Sequence, residues 1–179
     1  MAKSKKKTHV LPCSCGGSLR SGTVPEFDAT DAIGLPARLT GAVPGLKCSS
    51  CDLFMVSVSA LHKANVEICR VLLTKERRLS GQELRFLRKN LAGLSQQELA
   101  DRIGVDRRSL IRWEKQYSLN PDTDLLLRGA FVGELLRETA TKEDAAWARE
   151  ALKSARSKKA LKHASTLRLR VSRGESKVA

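Results

Sequence analysis

The apolar positions of this chain change their spacing along its length, and the changes predict its elements. Short extended runs at Leu19–Val24 and Leu53–Val58, set between glycine turns, predict strands. From Val58 onward the spacing becomes helical: Val58, Leu61, Ile68, Leu72 and Leu73 outline an amphipathic linking helix. The polar stretch Thr74–Ser80 is then a joint. Ser80 and Glu83 form a capping box that opens a helix with Leu84, Leu87 and Leu91 inward. Ser95 and Glu98 form another, opening a helix with Leu99, Ala100 and Ile103 on one face. Asn120-Pro121, followed by Asp122 and Asp124, starts a longer helix. Thr141 and Asp144 cap a last one, running through Trp147, Ala151 and Leu152 to about Lys159.

Residues 95–115, SQQELADRIGVDRRSLIRWEK, organise the rest. Gly104 supplies a position free to take positive φ, as a tight turn between helices requires. Asp106 can cap the helix that follows, which carries Leu110 and Trp113 inward. Two short helices around a glycine turn make a helix-turn-helix. On the outward side of its second helix lie Arg107, Arg108 and Arg112, with Ile111 between the faces, within reach of a thymine methyl. Three arginines on a helix are commonly just a solvated face, so it is the surrounding motif that directs them to base or phosphate contact. The stretch resembles the phage-repressor-like XRE family in Gln96, Ala100, Gly104 and the Trp113-Glu114-Lys115 ending. That resemblance implies that Gln96 bonds a phosphate and that Arg108, Ser109 and Arg112 read DNA, Arg108 and Arg112 foremost.

Cys13 and Cys15 adjoin a Gly-Gly turn, and Cys48 and Cys51 follow a second glycine turn about thirty residues later. Two paired-cysteine knuckles suit a tetrahedral structural zinc with four thiolate ligands, which leaves no open position for catalysis. The bland alternative is a metal-free loop domain with reduced thiols. Cys69 lies on the linking helix, where a cysteine serves as a small apolar residue. His62 is a surface residue, and His9 is the one substitute ligand near Cys13.

Charge refines this picture. Lys and Arg number 33 against 19 acids, a net +14, which favours a polyanionic partner. About twelve of those fourteen charges fall in Lys3–Lys7 and residues 153–177, so non-specific attraction resides at the ends and specificity in the middle. No apolar run approaches the ~20 residues that span a bilayer, and the lysine-rich start lacks an apolar leader core, so no membrane partner and a cytoplasmic, nucleoid-associated location are expected. Aromatic residues, at 4%, are too few for a base-stacking single-strand binder. Paired carboxylates, a nucleophile with its base and a phosphate loop are all missing, so no enzyme is expected.

The expected fold is α+β: a small zinc-ribbon-like β domain, then an all-α repressor-like helix-turn-helix domain and a basic helical or disordered tail. The expected boundaries are a disordered arm at 1–10, the cysteine domain at 11–58, the linking helix and joint at 59–79, the helix-turn-helix domain at 80–140, a further helix at 141–159 and a disordered basic tail at 160–179. Leu125, Leu126, Phe131, Val132, Leu135 and Leu136 offer more apolar surface than one small core needs. Burial in the core and a two-fold interface both account for it. The order of modules, with VPGLKCSSC in one and SQQELADRIGV in the other, resembles the MqsA-type antitoxins and YgiT-type zinc-finger regulators over residues 11–136. The resemblance implies structural zinc on Cys13, Cys15, Cys48 and Cys51, a homodimer on operator DNA that represses its own transcription, and an N-terminal domain that binds a small ribonuclease toxin.

Overall fold

The computed structural model describes residues 11–138, Ala146, Ala148, Ala151, 167–171 and 176–178. The expected basic arm with His9, and all of the expected helix at 141–159 except those three alanines, lie outside the described residues. The architecture is α+β, a mixed sheet carrying a cysteine cluster followed by a helical region.

Four strands open the chain: β1 (Leu11–Pro12), β2 (Ser18–Asp28), β3 (Ala37–Cys48) and β4 (Phe54–Val56). β2 and β3 form a long antiparallel hairpin running from the Leu19↔Cys48 pair to the Asp28↔Arg38 pair, with a register shift between Val24 and Glu26, at Pro25. Proline has no N–H for the ladder, so a bulge is where a strand accepts it. A one-turn helix, α1 (Thr30–Ile33), connects the two strands, its start held by Asp28 Oδ1 accepting from the Thr30 amide at 3.0 Å. Along β3, Ala37, Leu39 and Val43 are buried while Arg38 is exposed, the alternation of a sheet with one face on a core.

The helices are α2 (Val58–Thr74), α3 (Gly81–Asn90), α4 (Gln96–Ile103), α5 (Arg107–Trp113) and α6 (Pro121–Glu138). Ser80 and Ser95 both close complete capping boxes, and Asn120 Oδ1 accepts from the Thr123 amide at 2.8 Å. Ile68, Cys69, Leu72 and Leu73 of α2 are buried between the sheet and the helical region, so one apolar core runs from Leu39 and Val43 through α2 to Leu87, Leu99, Leu110 and Phe131. Ala146, Ala148 and Ala151 are helical, and the latter two enter that core.

The C-terminal stretch departs from expectation. Instead of a disordered tail throughout 160–179, Leu167–Val171 forms β5 and Ser176–Val178 forms β6. β5 pairs with β3 in parallel, from Ala37↔Leu167 to Gly41↔Val171, and β6 pairs with β5, giving the order β1-β2-β3-β5-β6 with β4 on the other part of β3. The basic composition concealed a period of two: Leu169 is buried while its neighbour Arg168 is exposed.

A buried arginine joins the helical region to α2. Arg128, on α6, has no exposed side-chain surface and donates to the carbonyls of Leu72 (2.7 Å), Leu73 (2.6 Å) and Arg77 (2.9 Å) and to Asp124 Oδ2 (2.9 Å). Asp124 Oδ1 in turn accepts from the Leu79 amide at 2.8 Å. The cation thus satisfies carbonyls that the end of α2 leaves without helical partners, where its charge also complements the helix dipole.

Candidate nucleic-acid interface and metal centre

α4 and α5 enclose the turn the sequence predicts. Gly104 takes φ +71° and its amide closes α4 on Ala100 and Asp101, while Asp106 Oδ1 accepts from the Arg108 amide at 2.6 Å and fixes the start of α5. Leu110 points into the core and Trp113 is half-buried. Arg107, Arg108 and Arg112 are exposed together and make no ion pair among the described residues. Ser109 and Ile111 are half-buried between the faces, and the Arg112 guanidinium is 3.5 Å from Ser109 Oγ.

Gln96 is placed differently from the other four. Its side-chain amide donates to Glu114 Oε2 at 2.7 Å and is half-buried. Glu114 is the hub of this end of the motif: Arg88 donates to it from Nε at 2.6 Å and NH2 at 3.3 Å, and Arg88 NH1 reaches the Leu94 carbonyl at 2.7 Å. The Glu114 carboxylate therefore ties α3, α4 and the end of α5 together, and its partner Arg88 adds the loop before α4. The first turn of α4 retains backbone amides without helical partners, which attract anions, while the Glu98 amide is already held by Ser95 Oγ.

Beside that first turn lies a groove of about 550 Å³ bordered by Arg85, Lys89, Gln97, Arg107 and Lys115. Arg85, Lys89 and Lys115 are exposed cations that sequence reasoning did not single out. The signal was available: Arg85 and Lys89 are four residues apart on α3, on the side away from Leu84 and Leu87.

In the sheet, Cys13 follows β1, Cys15 lies in the turn before β2, Cys48 ends β3 and Cys51 lies in the turn before β4. Their four sulfurs lie within 4.8 Å of one another, with Cys13 to Cys51 at 3.8 Å and Cys15 to Cys48 at 3.5 Å. A tetrahedral ion with metal–sulfur bonds of about 2.3 Å requires sulfur–sulfur edges of about 3.8 Å. The donor set fits a metal ion, and the one-residue spacing of the first pair does not prevent convergence.

The turns supply the rest of the cradle. The Gly17 amide points at Cys15 Sγ (3.4 Å) and the Ser50 amide at Cys48 Sγ (3.3 Å). A Cβ on Gly17 would lie 2.7 Å from Ser50 Oγ and 2.9 Å from Cys48 Sγ, so only glycine fits there. The Ser50 amide draws the Cys48 thiol down to about 6, favouring the thiolate that a metal binds. At Cys51 the Leu53 amide acts in the same direction, but the neighbouring Cys15 and Cys48 sulfurs outweigh it and push the thiol up to about 12. Cys69 is remote from this cluster, buried in the α2 core, and His62 is exposed.

Residues 84–128 match a family model described as helix-turn-helix, which spans most of α3 to α6. No curated protein and no solved structure matches the chain. Residues 84–128 are thus a helix-turn-helix domain, the fold element of DNA-binding regulators, and the four cysteines are positioned for a metal ion. No helix among the described residues is long and apolar enough to cross a membrane.

Proposed function

We propose that the protein is a sequence-specific double-stranded DNA-binding transcriptional regulator, acting at the nucleoid in the cytoplasm as a repressor by occupying its operator. The observation that carries this reading is the exposed Arg107, Arg108 and Arg112 face on the second helix of a matched helix-turn-helix. Arg108 and Arg112 reach guanine edges in the major groove, Ser109 and Arg107 contact base or phosphate, and the first turn of α4 at Gln96 holds a phosphate through backbone amides. Arg85, Lys89 and Lys115 continue the phosphate track along the adjoining groove. Zinc on Cys13, Cys15, Cys48 and Cys51 is structural: it closes the open end of the β2–β3 hairpin, where Cys13, Leu19 and Cys48, with half-buried Leu46 and Cys51, make a very small core.

Exposed Leu125 and Leu126 on α6 support a homodimer that matches two half-sites. The antitoxin role implied by the order of modules belongs to the cysteine-bearing sheet, and co-purification of a small ribonuclease encoded beside this chain tests it.

Competition tests the main reading. Labelled duplex of mixed sequence is bound by the full chain at low salt and challenged with unlabelled duplex, single strand and structured RNA. Duplex DNA is the strongest competitor, and affinity falls steeply with salt. Displacement by RNA at lower concentration than by duplex contradicts the reading.

A further inference from the structure

A second cavity, about 540 Å³, opens on the other side of Arg85, Glu114 and Lys115 from the phosphate groove, and those three residues line both. Leu35 and Pro36 from the β3 approach and Leu167 of β5 form an apolar wall, joined by the Leu167 amide donating to the Pro36 carbonyl at 2.8 Å. Facing it are the start of α3 and, just beyond α5, Tyr117, whose ring is half exposed. The acids in this lining are already engaged: Glu83 holds Lys75 at 2.5 Å and Glu114 holds Arg88 at 2.6 Å. Arg85 and Lys115 are exposed and form no ion pair among the described residues. The cavity therefore sets two uncompensated cations against an apolar wall, at a volume typical of small-molecule sites.

We propose that this cavity is an effector site for a small amphipathic monoanion, its apolar body on Leu35, Pro36 and Leu167 and its carboxylate on Arg85 and Lys115. Resting on the DNA-binding reading above, the consequence is negative coupling. The two cations serve either the ligand in this cavity or the DNA phosphate in the adjoining groove, so each ligand weakens the other. The apolar wall contains the junction of β3 with β5, which makes the C-terminal strand part of the sensing surface.

The test uses the full chain, labelled with ¹⁵N, with 1-naphthoate and decanoate as aromatic and aliphatic probes and neutral 1-naphthamide as the uncharged control. At least one carboxylate produces saturable shifts at the amides of Leu35, Arg85, Lys115, Tyr117 and Leu167, and the amide binds about tenfold or more weakly. An Arg85→Gln/Lys115→Gln variant with an unchanged melting temperature loses the preference for the charged probe. Saturable shifts centred elsewhere, equal binding of naphthoate and naphthamide, or no saturable shift with either carboxylate overturns the proposal. Saturating carboxylate is then expected to weaken duplex binding about fivefold or more. Unchanged duplex affinity with the cavity filled overturns the coupling. A filled cavity in a protein that binds no duplex even without the probe overturns the DNA reading and leaves the ligand site standing.

Discussion

Arg88 and Glu114 form a buried ion pair, Nε to Oε1 at 2.6 Å with both side chains only 6% exposed, and that pair fixes the angle between α3 and the end of α5. Both charges are further satisfied, Arg88 by the Leu94 carbonyl and Glu114 by the Gln96 amide. Removing one partner strands a desolvated charge. Glu114→Ala is expected to cost about 3–5 kcal/mol in urea unfolding, more than an exposed ion pair provides. An Arg88→Met/Glu114→Leu double variant recovers a large part of that loss, because neither charge is left alone. A Glu114→Ala loss below about 1 kcal/mol, the scale of a surface pair, would show that the pair is solvated in solution.

Metal binding is expected to depend on Gly17 as well as on the cysteines, though less steeply. Any side chain there displaces Ser50 or Cys48 Sγ. Gly17→Ala is expected to lower zinc affinity about tenfold or more, measured against a chromophoric chelator, with helix content unchanged because the nearest atoms its Cβ meets belong to Ser50 and Cys48. Cys48→Ser abolishes stoichiometric zinc in elemental analysis. Full zinc content and wild-type affinity in both variants would refute a four-sulfur site.

Direct readout is specific to side chains. Arg108→Ala is expected to cost about 1–3 kcal/mol on the preferred duplex and far less on scrambled DNA, by fluorescence anisotropy. Lys89→Ala is expected to weaken both equally and to reduce the salt slope by about one. Equal losses on both duplexes for Arg108→Ala would reassign it to a phosphate.

The C-terminal strands separate the observed fold from the expected one. Deleting residues 160–179 removes β5, β6 and the buried Leu169, so the melting temperature is expected to fall by several degrees. A deletion that leaves it unchanged contradicts the pairing of β5 with β3.

The capping boxes at Ser80 and Ser95, the Gly104 turn and the apolar faces of α3 to α5 were legible because each is a local rule, written within a few residues. On α2 the face holds for Ile68, Leu72 and Leu73, but Val58, expected on it, is exposed at the first position of the helix, beyond the reach of the core. The convergence of Cys13, Cys15, Cys48 and Cys51 was legible as well, because ligand type and paired spacing imply it even though the chain between them does not. What remained hidden depends on distant partners. The half of β3 at Ala37–Gly41 and its mate β5 lie more than a hundred residues apart, and charge dominated the composition of the latter. Arg128 reads in the sequence as another surface cation, and only the packing of α6 on the end of α2 buries it. Gln96 lies where the motif puts it, but Glu114 takes its side chain, a competition no local pattern records.

Selection of bound sites from a randomised duplex pool by the full chain tests the central claim most directly. The expected result is enrichment of one sequence, read as two inverted half-sites about one helical turn apart, and its loss when Arg108→Ala/Arg112→Ala protein is used. An unenriched pool, bound at low salt and released as salt rises, would mean that charge alone attracts DNA, contradicting a sequence-reading role for α5.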